Sequence, residues 1–192
     1  MAQDMRSLFI NMPDSVLPLL TKNNRMDCVD FIDSEMKAEV KNRFGEPSEL
    51  KKLTNDYLFL QTTGQSFVEM KLLTVSDTIK VVCAVRTACG PACDSSICFY
   101  DMKWNMLNAS NYIDLPVEEM FYNTSPNENE EYSLLRKKAD MCLIKASLSE
   151  KDTDIRFEYT TPDYLNKEDK IKIKNYLKSF LVYHWTGGKY VL

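Results

Sequence analysis

The sequence predicts an α+β fold, mainly antiparallel sheet of about 7–8 strands, with helices packed on one face. Two changes of apolar period carry this reading. Residues 14–53 repeat with the spacing of a helix, and from Tyr57 to Trp104 the period falls to two. A second run of helix, hairpin, helix and strands then closes the chain. Helices that precede and interrupt antiparallel strands belong to the α+β class.

Asp14 is placed to cap a short helix over SVLPLL, with Pro18 in its tolerant first turn. Asn24 is placed to cap a longer one, whose stripe is Val29, Ile32, Met36 and Val40. Gly45 and Pro47 end it, and Ser48-Glu49-Leu50 begins one more turn. A four-strand meander follows at 57–62, 66–73, 78–87 and 96–104. Val68, Met70 and Leu72 alternate with Glu69 and Lys71. Ile79, Val81, Cys83 and Val85 oppose Lys80 and Arg86. Cys98, Tyr100, Met102 and Trp104 oppose Asp101 and Lys103. Residues 105–129 are an irregular connection, and NTSPNENEE (123–131) reads as a polar linker. Beyond it lie a helix at 130–139, a hairpin of 142–148 with 154–160, a helix at 166–178, and strands at 180–185 and 189–192.

The 192 residues fit a single domain over 1–192. The order of elements also divides the chain into similar halves, 1–104 and 130–192, each marked by a like pentapeptide, TNDYL and TPDYL. At 44% hydrophobic and 27% charged the chain is globular, and at this length it needs no disulfide or metal in order to fold. A net charge of −4 argues against a nucleic-acid partner, which would require a basic face. No apolar run approaches the roughly 18 residues of a membrane span.

Catalytic patterns are weak. His184 is the one histidine, and a thiol–imidazole pair, for example Cys142 with His184, is conceivable although nothing local supports it. No nucleophile elbow or glycine-rich phosphate loop occurs. No metal or other cofactor is expected. The cysteines carry more information, because four of the six fall in VVCAVRTACGPACDSSICFY. Their spacing does not match paired zinc knuckles. Cys89-Gly90-Pro91-Ala92-Cys93 is a redox-type motif with one residue added, but it joins two strands where thiol-redox enzymes open a helix. Opposed residues of an antiparallel pair share one positional sum. By that rule Cys89 faces Cys93, and Cys83 faces Cys98 to within one residue of bulge. Disulfides at Cys89–Cys93 or Cys83–Cys98 and free buried thiols are all consistent with this pattern. Cys28 and Cys142 read as core residues.

The stretches MRSLFINMPDSVLPLLTKNNRMDCVDFIDSEMKAEV, FGEPSELKKLTNDYLFLQ, VEMKLLTVSDTIKVVCAVRTACGPACDSSICFY and TPDYLNKEDK together resemble an uncharacterised Bacteroidales family of exported proteins (domain of unknown function 3256). The resemblance implies that Ala2-Gln3-Asp4 is a mature start left by signal cleavage. It also implies a periplasmic or cell-surface location, where disulfides persist; a cytoplasmic protein with its natural start is the alternative. It brings no activity and no functional residues. The expected function is a non-enzymatic module binding an unknown protein or envelope ligand through a sheet face or edge. The alternatives are a thiol–disulfide protein using Cys89 and Cys93, or a hydrolase.

Overall fold

The computed structural model describes residues 4–123 and 130–192. The expected mature start and most of the expected linker, at 1–3 and 124–129, lie outside the described residues. The fold is mixed α+β and mainly antiparallel sheet. A seven-stranded meander is followed by a second sheet of four strands.

The chain opens with α1 (Met5–Asn11), ahead of the span expected to be helical. Its N-terminus is closed by a capping box: the Ser7 N–H donates to Asp4 Oδ1 at 2.9 Å, and the Asp4 N–H donates to Ser7 Oγ at 3.2 Å. No helix forms over SVLPLL, where the chain makes successive turns. Helix α2 (Lys22–Asp33) is capped by Thr21, and Asn24 is the third residue of its capping box. The helix stops at Asp33, and Glu35 turns the chain with φ 56°. The stripe continued past this point in sequence, but Met36 is 58% exposed and Val40 is buried in a strand instead. That strand, β1 (Glu39–Lys41), pairs with β2 (Pro47–Leu53). Pro47 takes the first position of β2, where it needs no ladder donor. A turn at Ser48 is thereby replaced by a strand.

The expected meander forms as β3 (Tyr57–Thr63), β4 (Ser66–Thr74), β5 (Lys80–Cys89) and β6 (Cys93–Tyr100), with a short β7 (Met106–Leu107) beyond. Its central strands are buried on both faces. Leu58, Leu60, Met70, Val82 and Ala84 pack under α1 and α2. Leu73, Val81, Cys83, Val85 and Phe99 pack against the second sheet. Fully burying one such side chain contributes about 1.5–3 kcal/mol, so both layers matter to stability.

The second sheet consists of β8 (Ile144–Leu148), β9 (Ile155–Tyr159), β10 (Leu181–Thr186) and β11 (Lys189–Val191). Helices α3 (Glu130–Lys138) and α4 (Lys167–Lys174) pack on each other through Leu135, Ala139 and Ile173. TNDYL turns into β3, whereas TPDY forms a 3₁₀ turn. In the β10–β11 turn, a Cβ on Gly188 would meet Val75 Cγ1 at 2.9 Å, and its φ of 88° also requires glycine.

β8 is an edge strand, pairing with β9 alone in its sheet. Two of its amides are satisfied by side chains of β6. The Ile144 N–H donates to Asp94 Oδ1 at 3.2 Å, and the Ala146 N–H donates to Ser95 Oγ at 2.9 Å. Ser95 Oγ also bonds Thr87 Oγ1 at 2.8 Å, which fixes it on the first sheet.

Deeper between the sheets Glu69 is only 5% exposed. Tyr57 Oη donates to its Oε1 at 2.8 Å, and Oε2 has no hydrogen-bond partner among the described residues. Burial raises the Glu69 pKa, against the opposing pull of Tyr57, the Leu148 amide and Lys145. Between the ordinary carboxylate pKa and the raised one, the folded state binds more protons than the unfolded chain. Stability is therefore full below that window and falls as pH rises through it. Glu69→Gln retains an acceptor for Tyr57 and removes the ionisation. Urea unfolding followed from about pH 4 to about pH 8 is expected to show this fall flattened in the variant; pH profiles that run parallel would contradict it.

Candidate functional site

Where α1 and α2 end, the helical face of the first sheet is left uncovered at the turn end of β4, β5 and β6. The floor there is two cross-strand rows, Val68–Arg86–Ser96 and Ser66–Ala88–Asp94. Val16, Leu17, Pro18 and Leu19 form the facing wall, and together they enclose a groove of about 410 Å³. This is within the roughly 300–1,000 Å³ range of ligand-sized sites.

The wall is held by two arginines. Arg25 is 1% exposed, and its Nη1 donates to Leu20 O at 2.7 Å and to Asp14 Oδ1 at 3.0 Å, while Nη2 donates to Met12 O. Asp14, expected as a helix cap, is instead the counter-charge of this buried cation. Arg86 stands in the groove, half-buried, with Nη2 donating to Val16 O and Tyr100 Oη at 3.0 Å each. Its guanidinium lies 6.0 Å from the Tyr100 ring centroid. Among the described residues no carboxylate pairs with it: Asp94 on the rim is committed to the Ile144 amide. A cation bonded only to neutral groups beside an apolar wall is complementary to an anion with an apolar body.

The groove ends at the Cys89–Gly90–Pro91–Ala92–Cys93 turn. Cys89 faces Cys93 and the two form a disulfide, with a cis peptide at Gly90–Pro91. No bulge interrupts the ladder, so Cys83 faces Phe99 and Cys98 faces Ala84. A Cys83–Cys98 bridge is thus replaced by two free thiols on opposite faces of the sheet. Both cysteines lie on apolar faces, as their alternation indicates. With both faces of the sheet buried, an apolar face does not specify a shared one. Burial pushes the Cys83 thiol pKa strongly up and that of Cys28 to about 11, so neither is a thiolate nucleophile.

Cys142 and His184 do not meet. Cys142 precedes β8 at its Ile144–Tyr159 end, and His184 lies beyond the Leu148–Ile155 end. Seven residues of strand separate the two levels, roughly 20 Å. His184 Nδ1 instead bonds Asp154 Oδ1 at 2.9 Å on the exposed face of the second sheet. The neighbouring Ser149 hydroxyl accepts from the Lys151 and Asp152 amides within its own turn. Among the described residues no three His, Cys, Asp or Glu side chains converge to hold a metal, and no helix is long and apolar enough to cross a membrane.

Residues 1–190 match the family described as a protein of unknown function, DUF3256. The chain belongs to that family. A solved structure of a domain of an uncharacterized protein from Porphyromonas gingivalis W83 is similar to it at 26% identity, with a TM-score of 0.85 and 99% of each chain covered. No curated protein matches. The DUF3256 fold thus recurs at low identity in a second protein.

The sequence reading missed Arg25 and Arg86 as determinants of this site. The available signal was a single cation inside the apolar run VVCAVRT, which alternation placed on the face opposite Val81, Cys83 and Val85. Arg25→Met leaves the Met12 and Leu20 carbonyls without their buried donor. It is expected to cost about 3 kcal/mol in urea unfolding and to speed amide exchange across residues 13–20.

Proposed function

We propose that this chain is an exported, non-enzymatic binding module of the periplasm or cell surface, gripping an apolar, acid-bearing segment of a partner protein in the Arg86 groove. The observation that carries the reading is Arg86 itself, a half-buried cation with neutral partners set against the apolar wall of Val16, Leu17 and Leu19. Desolvation by a bound segment strengthens a charge pair at such a place relative to open solvent. Around the central strands neither face offers an alternative, since helices cover one and the second sheet covers the other. The Cys89–Cys93 disulfide suits an oxidising compartment. The likeness to a protein of Porphyromonas gingivalis supports the Bacteroidales setting in which export was expected.

The test places a photo-crosslinking residue at Ala88, on the groove floor, in cells of the source organism. The expected product is one partner peptide, apolar and bearing Asp, Glu or a terminal carboxylate. Arg86→Gln is expected to reduce its yield and to weaken binding of that peptide about ten- to a hundredfold, the worth of a charge-assisted hydrogen bond. A crosslinking pattern indifferent to Arg86→Gln would overturn the reading.

A further inference from the structure

We propose that Cys142 is the third thiol of an exchange relay with the Cys89–Cys93 disulfide, passing the bridge from Cys89–Cys93 to Cys93–Cys142. This stands apart from the groove reading and rests on different residues.

The placement follows from register and hydrogen bonds. Strand alternation puts Cys89 and Cys93 on the same face as Val85 and Phe99, the face covered by the second sheet. One residue there joins the disulfide to the segment that carries Cys142. Thr160 Oγ1 donates to Cys93 O and also reaches Leu143 O at 3.2 Å, while the Thr160 N–H donates to Leu143 O at 2.9 Å. The next amide, that of Ile144, bonds the Asp94 carboxylate. Cys93–Asp94 therefore runs level with the Leu143–Ile144 step, and Cys142 is the residue just before it. Cys142 is also the exposed free thiol. Cys28 and Cys83 are fully buried, and Cys98 packs on the opposite face. The segment Met141–Leu143 precedes the ladder of β8 and is held instead by Thr161, whose Oγ1 accepts from the Leu143 N–H at 2.9 Å and donates to Met141 O at 2.7 Å, so closure on Cys93 gives up loop bonds rather than strand pairs. A bridge requires the two Cα atoms within about 7 Å.

The step balances without an external oxidant. The Cys142 thiolate attacks Cys93 Sγ, a Cys93–Cys142 bond forms, and the Cys89–Cys93 bond breaks. Cys89 leaves with the electron pair and takes up the proton that Cys142 gave up. Burial, Glu118, Asp94 and Glu119 all raise the Cys142 pKa, so the resting state is the thiol and exchange accelerates as pH rises. The product is a covalent tie between the first sheet and the entry to β8, with Cys89 free for a further thiol partner.

The oxidised wild-type protein is held at pH 6 and at about pH 8.5, the ordinary thiol value, then acid-quenched, alkylated, digested and mapped by mass spectrometry. The expected result is a Cys93–Cys142 linked peptide with alkylated Cys89, more abundant at the higher pH and lost in Cys142→Ser. In Cys89→Ser, oxidised glutathione at the same pH is expected to give Cys93–Cys142 as the main product. Only Cys89–Cys93 in the wild type at both pH values, with Cys93 and Cys142 separately capped in the variant, would overturn the relay.

Discussion

Two edge amides govern how this fold is assembled. An edge strand exposes a row of N–H groups that must find water, another strand, or side chains. Those of Ile144 and Ala146 find Asp94 and Ser95, which protrude from the edge of the first sheet. The second sheet is therefore joined to the first through side chains rather than by continuing its ladder. That junction fixes what lies on either side of it: the inter-sheet core around Phe99 and Tyr190, and the Cys89–Cys93 turn clasped by Thr160.

Central strands covered on both faces leave little free surface for binding. Its helical cover stops short at the turn end of β4–β6, and there the wall from Val16 to Leu19 leaves a groove instead of a packed core. The same few residues serve both sides of the sheet. Asp94 lines the groove and also accepts the Ile144 amide of β8. Arg86, one row away, ties the groove wall to Tyr100. Binding in the groove and docking of the second sheet thus share the end of the β5–β6 hairpin.

Local patterns in the sequence carried the meander, because period-two alternation and turn residues are short-range signals. The hairpin of β8 and β9 and both later helices were legible for the same reason. The helix expected through Met36 and Val40 was not formed. Val40 is buried, as an apolar stripe requires, but in a strand paired with Ser48, and single-chain periodicity cannot separate these two ways of burying a valine. The cysteine ladder was legible to within one residue. That one residue decides everything for Cys83 and Cys98, because a shift of one in a strand moves a side chain through the sheet. The groove was not legible, since Arg25 meets Asp14, and Arg86 meets Val16, only after the first turns fold over the sheet.

If Asp94 and Ser95 stand in for a missing strand, their removal should unprotect particular amides and spare the rest of β8. Native-state hydrogen exchange by NMR measures this directly. In the wild type the Ile144 and Ala146 amides are expected to exchange slowly despite their edge position. Ser95→Ala should speed Ala146 about tenfold, the loss of roughly one hydrogen bond, and Asp94→Ala should do the same for Ile144, with the other β8 amides little changed. Fast exchange at both positions in the wild type, or rates that neither substitution alters, would contradict this view of how the two sheets are joined.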